Sequence, residues 1–177
     1  MKTAIAALTA LASIGTSAGA ALPRWNPKAP ENSQVLPSFN YGTVESVLSA
    51  IGARHQRSGS AGKPTLLVTF PNNRRAVLTL GACNGDGSAC KSLSMQSNWT
   101  KIANPTPERT AAAIQRFNQR YSFGKAFVTT SGQPGMQRYL TADYGIIRGN
   151  LAVNLLVYAN QVDRFATEVL APLEARR

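Results

Sequence analysis

A two-residue alternation constrains this chain more than any other feature. Through residues 91–99, Leu93, Met95 and Trp99 fall on one side, while Ser92, Ser94 and Gln96 fall on the other. Successive side chains of a strand point to opposite faces, so one face here meets a core and the other meets water. That pattern belongs to antiparallel sheets, whose second face can stay solvated. Residues 65–70 and 76–80 read as further strands, joined by the turn-prone Pro71-Asn72-Asn73. Residues 125–129 and 136–142 read as two more, around Ser131-Gly132-Gln133-Pro134-Gly135.

The remaining periodicity is helical. Thr43 can cap a helix whose apolar positions are Val44, Val47, Leu48 and Ile51, with Gly52 to end it. Arg54-His55-Gln56-Arg57 follows as a short basic stretch, then a turn over residues 58–62. Thr106-Pro107-Glu108 opens a second helix, with Thr as cap and Pro at the first helical position. Ala111, Ile114, Phe117 and Tyr121 are expected on its buried side. A long final helix is expected over residues 149–173, where Leu151, Leu155, Tyr158, Val162, Phe165 and Val169 recur every three or four positions. Strands joined by hairpins between flanking helices make an α+β fold, and 177 residues suffice for one such domain.

The first twenty residues stand apart from that domain. Lys2 is the only charge before Arg24, an apolar run follows it, and Ala18-Gly19-Ala20 fits a cleavage site. A basic start, a short apolar segment and small residues at its end are the parts of a secretory signal peptide. A membrane anchor is the alternative, but the run is rich in Ala, Thr, Ser and Gly and poor in Leu. The expected organisation is a signal peptide over residues 1–20, an extended proline-rich lead-in over 21–37 and one domain over 38–177. The expected location is the periplasm or the exterior of a bacterial cell.

Cys83 and Cys90 flank Asn84-Gly85-Asp86-Gly87-Ser88-Ala89, at the end of one strand and the start of the next. A cross-link between the feet of such a hairpin is geometrically sound and would persist in an oxidising compartment. A redox switch is the other reading, but the spacing is not C-x-x-C and no helix start follows to acidify a thiol.

Residues 81–170 resemble the YbjN-domain family, described as bacterial sensory transduction regulators. Gly81-Ala82-Cys83 and Cys90-Lys91-Ser92-Leu93 resemble the paired-cysteine hairpin of its exported members. Ile114-Gln115-Arg116-Phe117-Asn118 is similar to the family's I-N-x-W-N segment, and Phe123-Gly124-Lys125-Ala126-Phe127 to its R-F-G-R-A-Y strand. Ser131-Gly132-Gln133-Pro134 resembles its G-D-P turn. Gln115 replaces the usual Asn, Phe117 the usual Trp, and Tyr144-Gly145 stands where many members have a glycine pair. The resemblance implies a curved antiparallel sheet packed against helices, as in type III secretion chaperones, and no known enzymatic activity.

Chemistry has few parts to work with. One His and two Cys cannot build a multi-ligand zinc site without carboxylate help. His55 has no nucleophile motif to serve, and no glycine-rich phosphate loop is present, so neither a catalytic residue nor a cofactor is expected. Asn84-Gly85-Asp86-Gly87-Ser88 lacks the closing Glu of a calcium loop. The charge is more telling. Lys and Arg number 19 against 8 Asp and Glu, a net charge of +11. Arg54, Arg57, Lys63, Arg74 and Arg75 cluster on the first strands and turns, and Arg109, Arg116 and Arg120 on the second helix. These read first as a solvated, highly charged surface. The sharper reading is an anion-binding set of Arg54, Arg57, Arg74 and Arg75 facing an anionic surface or polymer. No nucleic-acid motif accompanies them, so no specific nucleic-acid partner is expected. The expected function is binding of a protein or peptide through the sheet face and the groove beside the helices, whose aromatic residues include Phe117, Tyr158 and Phe165. A homodimer is expected too; an enzyme of unrecognised type is the remaining alternative.

N-terminal sequencing of protein recovered from a periplasmic fraction should begin at Ala21. Intact Met1 in the membrane fraction would favour the anchor.

Overall fold

The computed structural model describes residues 25–100, 102 and 106–175. The expected signal peptide, residues 1–20, lies outside the described residues, as do the first four positions of the lead-in. From there a 3-10 turn at Pro30–Ser33 leads into β1 (Val35–Leu36) and α1 (Tyr41–Ala50). Then come β2 (Arg54–Ser60), β3 (Lys63–Thr69), β4 (Arg75–Gly81) and β5 (Ser92–Asn98). α2 (Pro107–Arg120), β6 (Lys125–Val128), β7 (Pro134–Thr141) and β8 (Ile146–Ile147) follow, and α3 (Arg148–Phe165) begins the last helical stretch.

Six strands form one antiparallel sheet in the order β2-β3-β4-β5-β7-β6. β1 and β8 pair separately as a short ribbon. The fold class is α+β, as the strand and helix periodicities imply. Residues 54–60 correct one expectation: they are not a basic stretch and a turn but an edge strand, paired along its whole length with β3. Nearly every side chain on β2 is exposed, so it carries no apolar alternation to betray it.

Helix α1 starts three residues earlier than expected. Asn40 is its cap: the Asn40 side chain accepts from the Thr43 N–H at 2.9 Å, and Thr43 Oγ1 accepts from the Asn40 N–H at 3.1 Å. This reciprocal pair satisfies two backbone donors that the helix itself leaves free. Thr43 is thus the second half of the cap rather than the cap. Gly52, at φ 75°, terminates the helix as expected.

α2 follows its expectation at the start, where Thr106 caps and Pro107 opens. Its buried residues are Thr110, Ile114 and Phe117, whereas Ala111 is exposed. The final helix is continuous in direction but not in winding. A π turn at Ala166–Leu170 separates α3 from α4 (Ala171–Ala175). Pro172 has no N–H for the Glu168 carbonyl and its ring would crowd it, so the α-helical ladder breaks just upstream.

All three main helices contribute to one core on one side of the sheet. Leu66, Val68, Leu78, Leu80, Leu93, Met95 and Met136 come from the strands, and Val44, Val47, Leu48, Leu151, Leu155 and Phe165 from α1 and α3. Tyr158 sits at the centre, fully buried. Its hydroxyl is 2.9 Å from the Met136 carbonyl and 3.1 Å from Ser97 Oγ, and Ser97 donates to the Arg75 carbonyl at 2.7 Å. Burial pushes the Tyr158 phenol well above its ordinary pKa, so it stays a neutral hydrogen-bonding group.

Cys83 and Cys90 are joined by a disulfide across the β4–β5 hairpin. Cys90 is fully buried and its backbone bridges Phe39 in both directions, so the cross-link also fixes the segment entering α1. Its reduction should lower unfolding stability by about 2.5 kcal/mol, from the chain entropy of so short a loop. Urea unfolding with and without reductant measures this. Unchanged stability would leave the bond without a structural role.

Candidate functional site

The sheet has a second face, and no helix among the described residues covers it. Residues directly opposite one another in an antiparallel pair share a face, so the register maps that surface. Arg54 lies opposite Thr69, and Thr69 opposite Arg75. One step along, Gln56, Leu67, Val77, Gln96, Gln137 and Lys125 form a row across all six strands. A further row runs through Ser58, Thr65, Thr79, Ser94 and Tyr139.

Apolar side chains stand out on this surface. Leu67 is 45% exposed, Val77 40% and Tyr139 62%. Leu67 and Val77 are direct cross-strand partners, and they floor an open depression of about 660 Å³ rimmed by Arg54, Gln56, Thr69 and Arg75. At the far edge Phe127 lies over Gly135, where a Cβ would stand 2.4 Å from the ring. Glycine at that position lets the aromatic ring lie flat on the sheet.

The four arginines of the expected anion-binding set do not share one face. Arg57 has the opposite parity to Arg54 and Gln56, so it points to the helix side. There it makes two 2.7 Å bonds to the Glu45 carboxylate and stacks 4.6 Å from the Tyr41 ring centre. Arg74 reaches α3 and pairs with Asp163 at 2.8 Å. Arg54 and Arg75 remain on the open face, two strands apart, or about 9.5 Å at the usual strand spacing. Among the described residues neither forms an ion pair. None of the six strands carries an Asp or Glu.

Other sequence candidates fall elsewhere. Arg109, Arg116 and Arg120 lie on the exposed side of α2, and Arg120 is 3.5 Å from Glu168. Phe117, Tyr158 and Phe165 are core residues, so they offer no binding surface. His55 is an edge-strand residue whose buried Nδ1 has no hydrogen-bond partner among the described residues, so none of their carboxylates orients it as a triad requires. Among the described residues no three or more His, Cys, Asp or Glu gather into a metal-binding group. No helix among them is long and apolar enough to cross a membrane. The residues that sequence reasoning passed over are Leu67, Val77, Tyr139 and Lys125. The signal for the first two was present: in a strand where 66 and 68 point inward, 67 must point out.

The Glu45–Arg57 pair gives a measurable signature. Hydrogen bonds from Arg57 outweigh burial and hold the Glu45 carboxyl below its ordinary 4.5. A carboxyl depressed in the folded state adds stability above that ordinary value, and the contribution fades as pH falls through the lowered one. Arg57→Gln should return the Glu45 midpoint toward 4.5 in an NMR titration. An unchanged midpoint would mean the pair does not form in solution.

The YbjN family model, described as "Putative bacterial sensory transduction regulator", matches residues 40–171. No curated protein matches the chain. Among solved structures, similarity extends to a crystal structure of an uncharacterized protein from Methanothermobacter thermautotrophicus. That protein is 10% identical, with 76% of this chain and 96% of that one covered and a TM-score of 0.47.

Proposed function

This chain belongs to the YbjN family, and from that premise we propose that it is a non-catalytic regulatory protein whose uncovered sheet face binds a protein or peptide partner. One observation carries the reading. The described helices pack on one side, while the cross-strand neighbours Leu67 and Val77, and Tyr139 two strands beyond Val77, remain exposed on the other. Contiguous apolar groups rimmed by polar ones are the usual mark of a binding surface. The unpartnered Nδ1 of His55 supports the non-catalytic part, because general acid–base work needs an oriented imidazole. The amino-terminal pattern supports action outside the cytoplasm, as a chaperone-like or regulatory domain there.

A second reading is attachment to an anionic surface or polymer by charge alone. The net charge of +11 favours it, and a steep loss of binding with salt would mark it. The same charge argues against two copies meeting through the open face, so a homodimer would use another surface.

Photo-crosslinking in cells tests the main reading. A photoreactive residue at Tyr139, on the open face, should give a discrete protein adduct, whereas one at Gln115, on the outer side of α2, should not. His55→Ala should leave that adduct unchanged. Adducts from Gln115 alone would move the binding surface to the helices and overturn the proposal.

A further inference from the structure

We propose that the depression on the open face is a docking site for an extended acidic peptide segment with aliphatic side chains. Its carboxylates would be taken by Arg54 and Arg75 and its apolar groups by Leu67 and Val77. This rests on the open face being the binding surface and adds the chemistry of what it binds.

Charge placement carries the inference. The chain has carboxylates where arginines need neutralising: Glu45 holds Arg57, Asp163 holds Arg74, and Glu168 lies near Arg120 and Arg164. It places none on the six strands, although Arg54, Lys63, Arg75 and Lys125 all belong to the open face by register. Arg54 and Arg75 flank Thr69 at the rim of an apolar floor, which a ligand would close off from water. Arginine binds carboxylates with two parallel hydrogen bonds, and such pairs strengthen as solvent is excluded.

The setting selects a peptide over other anions. The row between the cations and the sheet's far end carries the amides of Gln56, Gln96 and Gln137, which donate to and accept from peptide groups. A polyphosphate or nucleic-acid backbone would call for a continuous track of cations rather than two beside a Leu–Val floor. A bilayer would call for a broader apolar face than one Leu–Val pair set among amides. A second copy of this basic face is excluded by like-charge repulsion.

Fluorescence anisotropy with the processed chain tests this, using a labelled, blocked octapeptide of alternating Glu and Val. Its Gln/Val counterpart, phosphatidylglycerol vesicles and polyphosphate serve as competitors. The Glu/Val peptide should bind at least about ten-fold more tightly than the Gln/Val peptide. Arg54→Gln and Arg75→Gln should each weaken it by about ten-fold, as for a lost charge-assisted bond. Arg57→Gln and Arg74→Gln, with circular dichroism showing each folded, should bind as the parent does. Equal binding of the two peptides, no effect of Arg54→Gln or Arg75→Gln, or tighter binding of vesicles or polyphosphate would overturn the proposal. Leu67→Ser separates the two levels. If it weakens both peptides while the arginine variants do not, the open face remains the binding surface and the acidic partner is wrong. If neither kind of variant matters, both readings fall.

Discussion

The structure depends on the covering of one sheet face by helix α3. An antiparallel strand has only two sides, and the alternation of Leu66, Val68, Leu78, Leu80, Leu93 and Met95 commits one of them to the core. Tyr158 locks the helix there. Its hydroxyl meets the Met136 carbonyl and Ser97 Oγ, and so ties α3 to β7 and β5, with Ser97 passing the link to β4. A buried hydroxyl left without partners costs about 1–3 kcal/mol, so this cluster favours one seating of the helix over a sliding one. Once that seating is set, every side chain of opposite parity is turned outward.

The two sheet edges are treated differently. At β6 the Asn118 side chain of α2 donates to the Ala126 carbonyl and accepts from its N–H, each at 2.9 Å. An amide thus stands in for a neighbouring strand and closes that edge. At β2 the chain uses charge instead, with Arg54 and Arg57 on either face of the outermost strand. The Glu45 and Tyr41 contacts hold Arg57 against α1, which leaves Arg54 as the cation presented to the open side.

Much of this was legible in the sequence. Strands β3, β4, β5, β6 and β7 announce themselves by alternation or by β-branched and aromatic runs between turn residues. The α2 cap follows from Thr106-Pro107. β2 was not legible, because a polar edge strand in contact with solvent has no period to read. Asn40 was missed as a cap because Thr43 stands closer to the first apolar residue. The grouping of Arg54, Arg57, Arg74 and Arg75 failed for a different reason. Nearness in sequence says nothing of side, and one step along a strand reverses it. The acids that divide the set, Glu45 and Asp163, come from α1 and α3, at separations that local pattern cannot supply.

One face of the sheet is core, and the other is left uncovered by the described residues. Leu66 and Leu67 are neighbours of the same type on β3, one fully buried and one 45% exposed. Urea unfolding of Leu66→Ala and Leu67→Ala compares them directly. The expected loss is about 2–5 kcal/mol at Leu66 and about 0.5 kcal/mol or less at Leu67. Equal, large losses at both positions would mean that the second face is also buried, and would contradict that division of the sheet.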